Sequence, residues 1–169
     1  MLKHPVPENH LRAIGDITVS FALLESHIQN LIGSLIYEHQ RIGQIITAEL
    51  SFKNLRALLV SLYLERHGED DDFNKPREYM KRAGQTEEKR NQITHSVWGA
   101  GKDKDHITRI KRTAKEKHGI RFKFEDVSAE ALFAFAEDIK VLAGELLDFQ
   151  LDLLSKHKIV NSPIKKIWP

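Results

Sequence analysis

At both ends of this 169-residue chain, apolar residues recur at alternating steps of three and four. The first run sets Ile14, Ile17, Phe21, Leu24, Ile28, Leu31 and Leu35 on one stripe. The last sets Leu132, Phe135, Ile139, Leu142, Leu146, Phe149 and Leu153 on another. A helix turns once every 3.6 residues, so each stripe stays on one helical face over its whole length. Long helices with such stripes bury them against one another, as in antiparallel bundles. In the last run Phe133, Val141, Leu147, Leu151 and Leu154 widen the stripe well beyond one face. That helix is therefore either central in the bundle or shared with another subunit. Ser128 caps its start and Glu130 favours its first turn.

The spacing predicts a first helix from Glu8 or Asn9 to about His39, with Gly15 and Gly33 weakening it locally. Glu25 lies beside its stripe in mid-helix, as a buried partner for an arginine elsewhere or as a flank residue. A short helical piece over Ile42 to Leu50 precedes a second main helix that Ser51 caps. Leu55, Leu58, Leu59, Leu62 and Tyr63 form its apolar face, and His67-Gly68 ends it. Glu69-Asp70-Asp71-Asp72 then reads as a solvated acidic loop, with no ligand spacing of a calcium loop. A third helix runs from Asn74 to Val97, with Pro76 tolerated in its first turn. Gly84 can kink or restart it, with Thr86 as a second cap. Its apolar anchors are few: Tyr79, Met80, Ala83, Ile93, Val97 and Trp98. A helix so polar has a face that does something besides packing.

Between the third helix and the last the period changes from helical to two. Ile120, Phe122 and Phe124 alternate with Arg121, Lys123 and Glu125, which is a strand pattern. Ile107 to Arg112 can pair with it as a hairpin closed near His118-Gly119. From Lys102 to Lys123 there are nine Lys/Arg against three acids, whereas the whole chain has a net charge of only +2. A basic hairpin beside the third helix attracts a polyanion, and its plainer role is a solvated ribbon. Lys102, Lys104, Arg109, Lys111, Arg112, Lys115, Arg121 and Lys123 are the candidate nucleic-acid contacts. The stretch shows no row of exposed aromatics to stack bases, so sequence-specific reading is not expected.

The fold class that follows is mainly α: an up-and-down bundle of four to five helices with a small basic β-hairpin inserted before the last helix. One domain is expected over residues 1–169, with the insertion over 99–127 and a basic tail over 156–169. There is no cysteine, which removes disulfides, thiolate metal sites and thiol nucleophiles. No apolar run reaches membrane-spanning length and the N-terminus lacks a signal-peptide core, so a soluble cytoplasmic protein is expected. There is no Gly-rich phosphate loop and no His-Glu-x-x-His metal motif. Neither a metal nor a cofactor is expected.

Chemistry concentrates at the end of the third helix, in Arg90-Asn91-Gln92-Ile93-Thr94-His95. Asn91 and His95 stand one turn apart on one face, with Arg90 about 100° round from Asn91. An imidazole moves protons near neutral pH, and a guanidinium grips a phosphate in a fixed fork. Together they suit phosphate-ester chemistry without a metal. The spacing alone is weak, since Arg112 to His118 repeats it with Thr113 in place of the asparagine.

Arg-Asn-x-x-x-His on the third long helix, with two apolar helices before it and one after, resembles the HEPN superfamily of nucleotide-binding and RNA-cleaving domains. The architecture covers nearly the whole chain, whereas the motif covers six residues, and the hairpin is an insertion rather than a hallmark. The resemblance implies a metal-independent endoribonuclease in which the ribose 2′-hydroxyl attacks the adjacent phosphodiester. It implies catalytic roles for His95 as general base or acid, for Arg90 on the phosphate, and for Asn91 in orienting either. It further implies a homodimer with a composite site, RNA as partner, and the company of small toxins and phage-defence effectors restrained by an antitoxin protein. A non-catalytic dimerisation or RNA/nucleotide-binding module with the same fold is the alternative. Plainer roles are also open: Arg90 paired with Glu87 on the helix surface, and His95 at the helix C-terminus, where a cation is favoured.

Overall fold

The computed structural model describes residues 4–36, 40–115 and 119–156. Five helices take up most of them: α1 (Glu8–Ile36), α2 (Gln40–Ala48), α3 (Phe52–His67), α4 (Asn74–Thr94) and α5 (Ala129–Lys156). Between α4 and α5 lie β1 (Val97–Ala100), β2 (His106–Lys115) and β3 (Gly119–Ser128), antiparallel and in that order in one sheet. The chain is thus mainly helical, with the small sheet inserted before the last helix.

Several ends fall where local chemistry places them. The Ser51 hydroxyl accepts from the Asn54 N–H at 3.3 Å, and Ser128 accepts from Ala131 at 3.2 Å. Gly68, at φ +70°, closes α3 with its N–H on the Leu64 carbonyl. The third helix stops at Thr94 and not at Val97. Val97 and Trp98 pair instead with Ile110 and Arg109, adding a strand to the expected hairpin. A β-branched residue and an indole favour that ladder, and Gly99 disfavours another helical turn. α4 runs unbroken through Gly84, without a restart at Thr86.

Side-chain contacts give the directions. Phe21 meets Phe52 at 4.7 Å between centroids, and Arg66 reaches the Ile36 carbonyl, so α1 and α3 run the same way. Lys140 pairs with Asp16 at 2.9 Å and Gln150 donates to Ser34 at 2.7 Å, so α5 is also parallel to α1. α4 runs against α5, with Tyr79 on Phe149 and Arg82 on Glu145. α1 touches every other helix and is the central one. Its stripe is buried from Ile17 to Leu35, with Ile14 partly buried against it, together with Leu55, Leu59 and Tyr63 of α3 and the principal stripe of α5. α2 folds back on α1 at Gly43, where a Cβ would lie 2.8 Å from the Gly33 Cα. The two glycines allow that backbone approach.

Part of the broad apolar surface of α5 is left uncovered by the described residues. Phe133, Val141, Leu147 and Leu151 are exposed. Glu25 is half-buried, and no basic side chain among the described residues lies within ion-pair distance of it. The acidic loop is partly structural. Tyr63 donates to the Asp70 carboxylate, and Asp72 pairs with Lys75 and Lys156, both at 2.7 Å. These ammonium groups hold the Asp72 carboxyl down to about 2. Burial first, and then Asp70, push the Tyr63 phenol up. The tail beyond Lys156, and His118 of the second Arg/His pair, lie outside the described residues.

Candidate functional site

The inward stripe of α4 begins with Pro76, Met80 and Ala83, all buried, and continues through Glu87 to Arg90. Arg90 therefore occupies a position that a bundle usually fills with an apolar residue. Its guanidinium carbon sits 4.2 Å from the Phe21 ring centroid, and its Nε is shielded from solvent with no hydrogen-bond partner among the described residues. A cation over an aromatic face is held by the ring quadrupole, and more strongly where water is excluded. Phe21 leans on Phe52, and a second arginine, Arg56, lies over Phe52 at 5.9 Å. Arg56 donates to the Met80 carbonyl at 3.1 Å and pairs with Glu87 at 3.7 Å. Glu87 is thus engaged by Arg56, and no carboxylate among the described residues lies within ion-pair distance of Arg90. Gly84 makes the crossing possible, since a Cβ there would fall 2.2 Å from the Arg56 Nη1.

His95 is the C-cap of α4, its N–H on the Asn91 carbonyl at 3.1 Å and its imidazole exposed. Five residues of helix set it about 140° round from Arg90. The guanidinium turns inward and the imidazole outward, so the two do not share a pocket. Asn91 stands between them at the edge of a groove of about 500 Å³, lined by Gly84, Glu87, Glu88, Asn91, Gln92 and Lys111.

Lys111 reaches that groove because of the sheet register. Directly paired residues share a face, so Trp98, Arg109 and Glu125 form one row, and Ile107 and Val127 the next. Ile107 is fully buried, while Trp98 and Val127 pack on the helical core. This inner face continues outward through Lys111 and its cross-strand partner Lys123. Two ammonium groups directly opposite one another repel unless an anion lies between them.

The other candidate cations are placed in three ways. Arg109 is committed within the protein: it pairs with Glu125, donates to Gln92 at 3.4 Å and ties the sheet to α4. The guanidinium holds the Glu125 carboxyl below the usual carboxylate range. Lys102 and Lys104 stand exposed in the β1–β2 turn, beside Asp103, whose contact with His106 holds its carboxyl low. Arg121 and Lys123 are exposed on β3 and Arg112 on β2. The Lys115 side chain lies outside the described residues.

Two groups of residues escaped the sequence reading. Arg56 with Phe52 and Phe21 could have been signalled by an arginine inside an apolar helical face and a glycine mid-way along the facing helix. The second group corrects the expectation that no aromatics are exposed for stacking. Phe122 and Phe124 stand 55% and 64% exposed, side by side, with centroids 6.4 Å apart and planes 21° from parallel. Strand alternation marked them as one face; only the docking of the sheet shows that this face is the outer one.

Fold and site together define a five-helix bundle carrying a basic three-stranded sheet against its most polar helix. Comparison with protein-family models, curated proteins and solved structures finds no match. No helix among the described residues is long and apolar enough to cross a membrane.

Proposed function

We propose that this chain is a metal-independent endoribonuclease of the HEPN type, acting as a homodimer whose two copies of Arg90, Asn91 and His95 make a composite site. The observation that carries the reading is the shared groove. Lys111 of the basic sheet and Asn91 of the Arg-Asn-x-x-x-His helix line the same groove, so a polyanion drawn to the sheet lies beside the motif. In the reaction, the ribose 2′-oxygen loses its proton and bonds to phosphorus while the bond from phosphorus to the 5′-oxygen breaks. The exposed imidazole of one His95 accepts the 2′ proton, and that of the second copy protonates the leaving 5′-oxygen. Arg90 neutralises charge on the non-bridging oxygens once its guanidinium swings off Phe21. The products are a 2′,3′-cyclic phosphate and a 5′-hydroxyl.

The inward stack of Arg90 favours a second reading, an RNA-binding module of the same fold without catalysis. Incubating purified protein with RNA in EDTA separates the two. Cleavage that leaves cyclic-phosphate ends, spares a 2′-deoxy scissile position and disappears in His95→Ala supports the enzyme. Salt-sensitive binding with intact RNA supports the module. An exposed helix-end substitution leaves stability within about 0.5 kcal/mol, so loss of cleavage in His95→Ala is not loss of fold.

A further inference from the structure

The outer face of the sheet is apolar where a solvated ribbon should be polar. Register places Val97, Ile110 and Phe124 in one row across all three strands, with Phe122 opposite Arg112 in the next row out. Ile120 follows on the same side of β3. Val97, Ile120, Phe122 and Phe124 are 47–67% exposed. The helical core forms without them, and nothing among the described residues covers them.

We infer that this face is a stacking platform for the unpaired bases of a single-stranded nucleic acid, with Phe122 and Phe124 as its rings and Arg112 as the cation beside them. The choice of RNA over DNA as the natural strand rests on the function proposed above; the platform itself does not. Near-parallel rings two residues apart on one strand offer neighbouring bases a π-surface each, and base stacking is tolerant of sequence. Charge selects the occupant. Nine Lys/Arg against three acids lie between Lys102 and Lys123; Arg112 stands exposed on the face of the rings, opposite Phe122, and Arg121 and Lys123 stand exposed on the other face of β3. A second copy docked here face to face would bring two basic hairpins together, whereas phosphates are attracted to Arg112 on this face and to the net positive charge of the hairpin. Membrane insertion favours an apolar connection, but the sequence between β2 and β3 is Glu116-Lys117-His118. Duplexes are poor ligands, because their bases are already stacked and paired.

The test measures binding by the full-length protein of a short single strand with 2′-O-methyl riboses, which cannot be cut by 2′-hydroxyl attack. The same-sequence DNA strand and its duplex are measured in parallel. Phe122→Ala and Phe124→Ala should each weaken single-strand binding roughly tenfold to a hundredfold. Phe→Trp should retain it, and Phe→Leu, which keeps apolar area but has no π-face, should not. Arg112→Ala should lower the slope of log affinity against log salt by about one. Equal affinity in wild type and alanine variants, or full rescue by leucine, overturns the platform. So does a Phe122-dependent change in oligomeric mass, or Phe122-dependent binding to phosphatidylserine vesicles. The two proposals fail separately. Phe-dependent binding without RNA cleavage in EDTA removes the nuclease and leaves the platform. Cleavage in EDTA with single-strand affinity indifferent to Phe122 and Phe124 does the reverse.

Discussion

Ile107 on β2 and Phe124 on β3 are both large apolar residues of one small sheet, and they meet opposite surroundings. Ile107 is fully buried on the face whose Trp98 and Val127 pack on the helical core, while Phe124 is 64% exposed with Phe122 and Ile110 as neighbours. Both faces carry apolar and basic residues, in different arrangements. On the inner face the apolar residues gather where the helices are, and Lys111 and Lys123 lie beyond. On the outer face the aromatics extend along β3, away from any core. The difference teaches that an apolar residue in a short strand marks a surface to be covered, by the same chain on one side and, in our proposal, by bases on the other.

Stability measurements can break this contrast, and the largest effect is expected inside. Ile107→Ala should cost about 2–5 kcal/mol in denaturant unfolding, the range for deleting a buried aliphatic side chain. A cost below about 1 kcal/mol would mean the sheet does not dock as described. Trp98→Phe keeps the ring but loses the indole N–H bond to the Ile93 carbonyl at 3.2 Å. It should cost about 0.5–1.5 kcal/mol, seen as a lowered denaturation midpoint at unchanged slope.

The inner ion pair gives a smaller, pH-dependent term. Arg109 depresses the Glu125 carboxyl in the folded state, so the unfolded chain takes up the proton first as pH falls. The pair therefore adds stability above the ordinary carboxylate range, lost as pH drops through the lowered folded value. Glu125→Gln should flatten that acid limb in urea titrations and change little at neutral pH. Asp72, held to about 2 by Lys156 and Lys75, follows the same sign, and Asp72→Asn should flatten the limb too. The smallest effect is expected outside: Phe122→Ala and Phe124→Ala should shift stability by no more than about 0.5 kcal/mol while weakening single-strand binding as above. Destabilisation of several kcal/mol by either would place those rings in a core and end the contrast.

Much of the architecture was legible because periodicity states which face of a helix seeks a core. The stripes from Ile17 to Leu35 and from Leu132 to Leu153, the caps at Ser51, Ser128 and Gly68, and the hairpin all follow from local chemistry. The boundary after Thr94 did not, because Val97 and Trp98 satisfy a helical stripe as readily as a strand until β2 supplies hydrogen bonds. The site was legible only as a list of residue types. Arg90 reads as a surface cation until Phe21, sixty-nine positions away in sequence, is brought beneath it.

The sequence by itself determined the helical bundle, the inserted basic strands and the meeting of a guanidinium, an amide and an imidazole at one helix end. Those depend on neighbours a few residues apart. Only the tertiary structure decided that Arg90 turns inward and His95 outward, that Lys111 overlooks Asn91, and that Phe122 and Phe124 face solvent. Each of these depends on which distant surface arrives on which side, and a strand's alternation is identical whichever of its faces the helices cover.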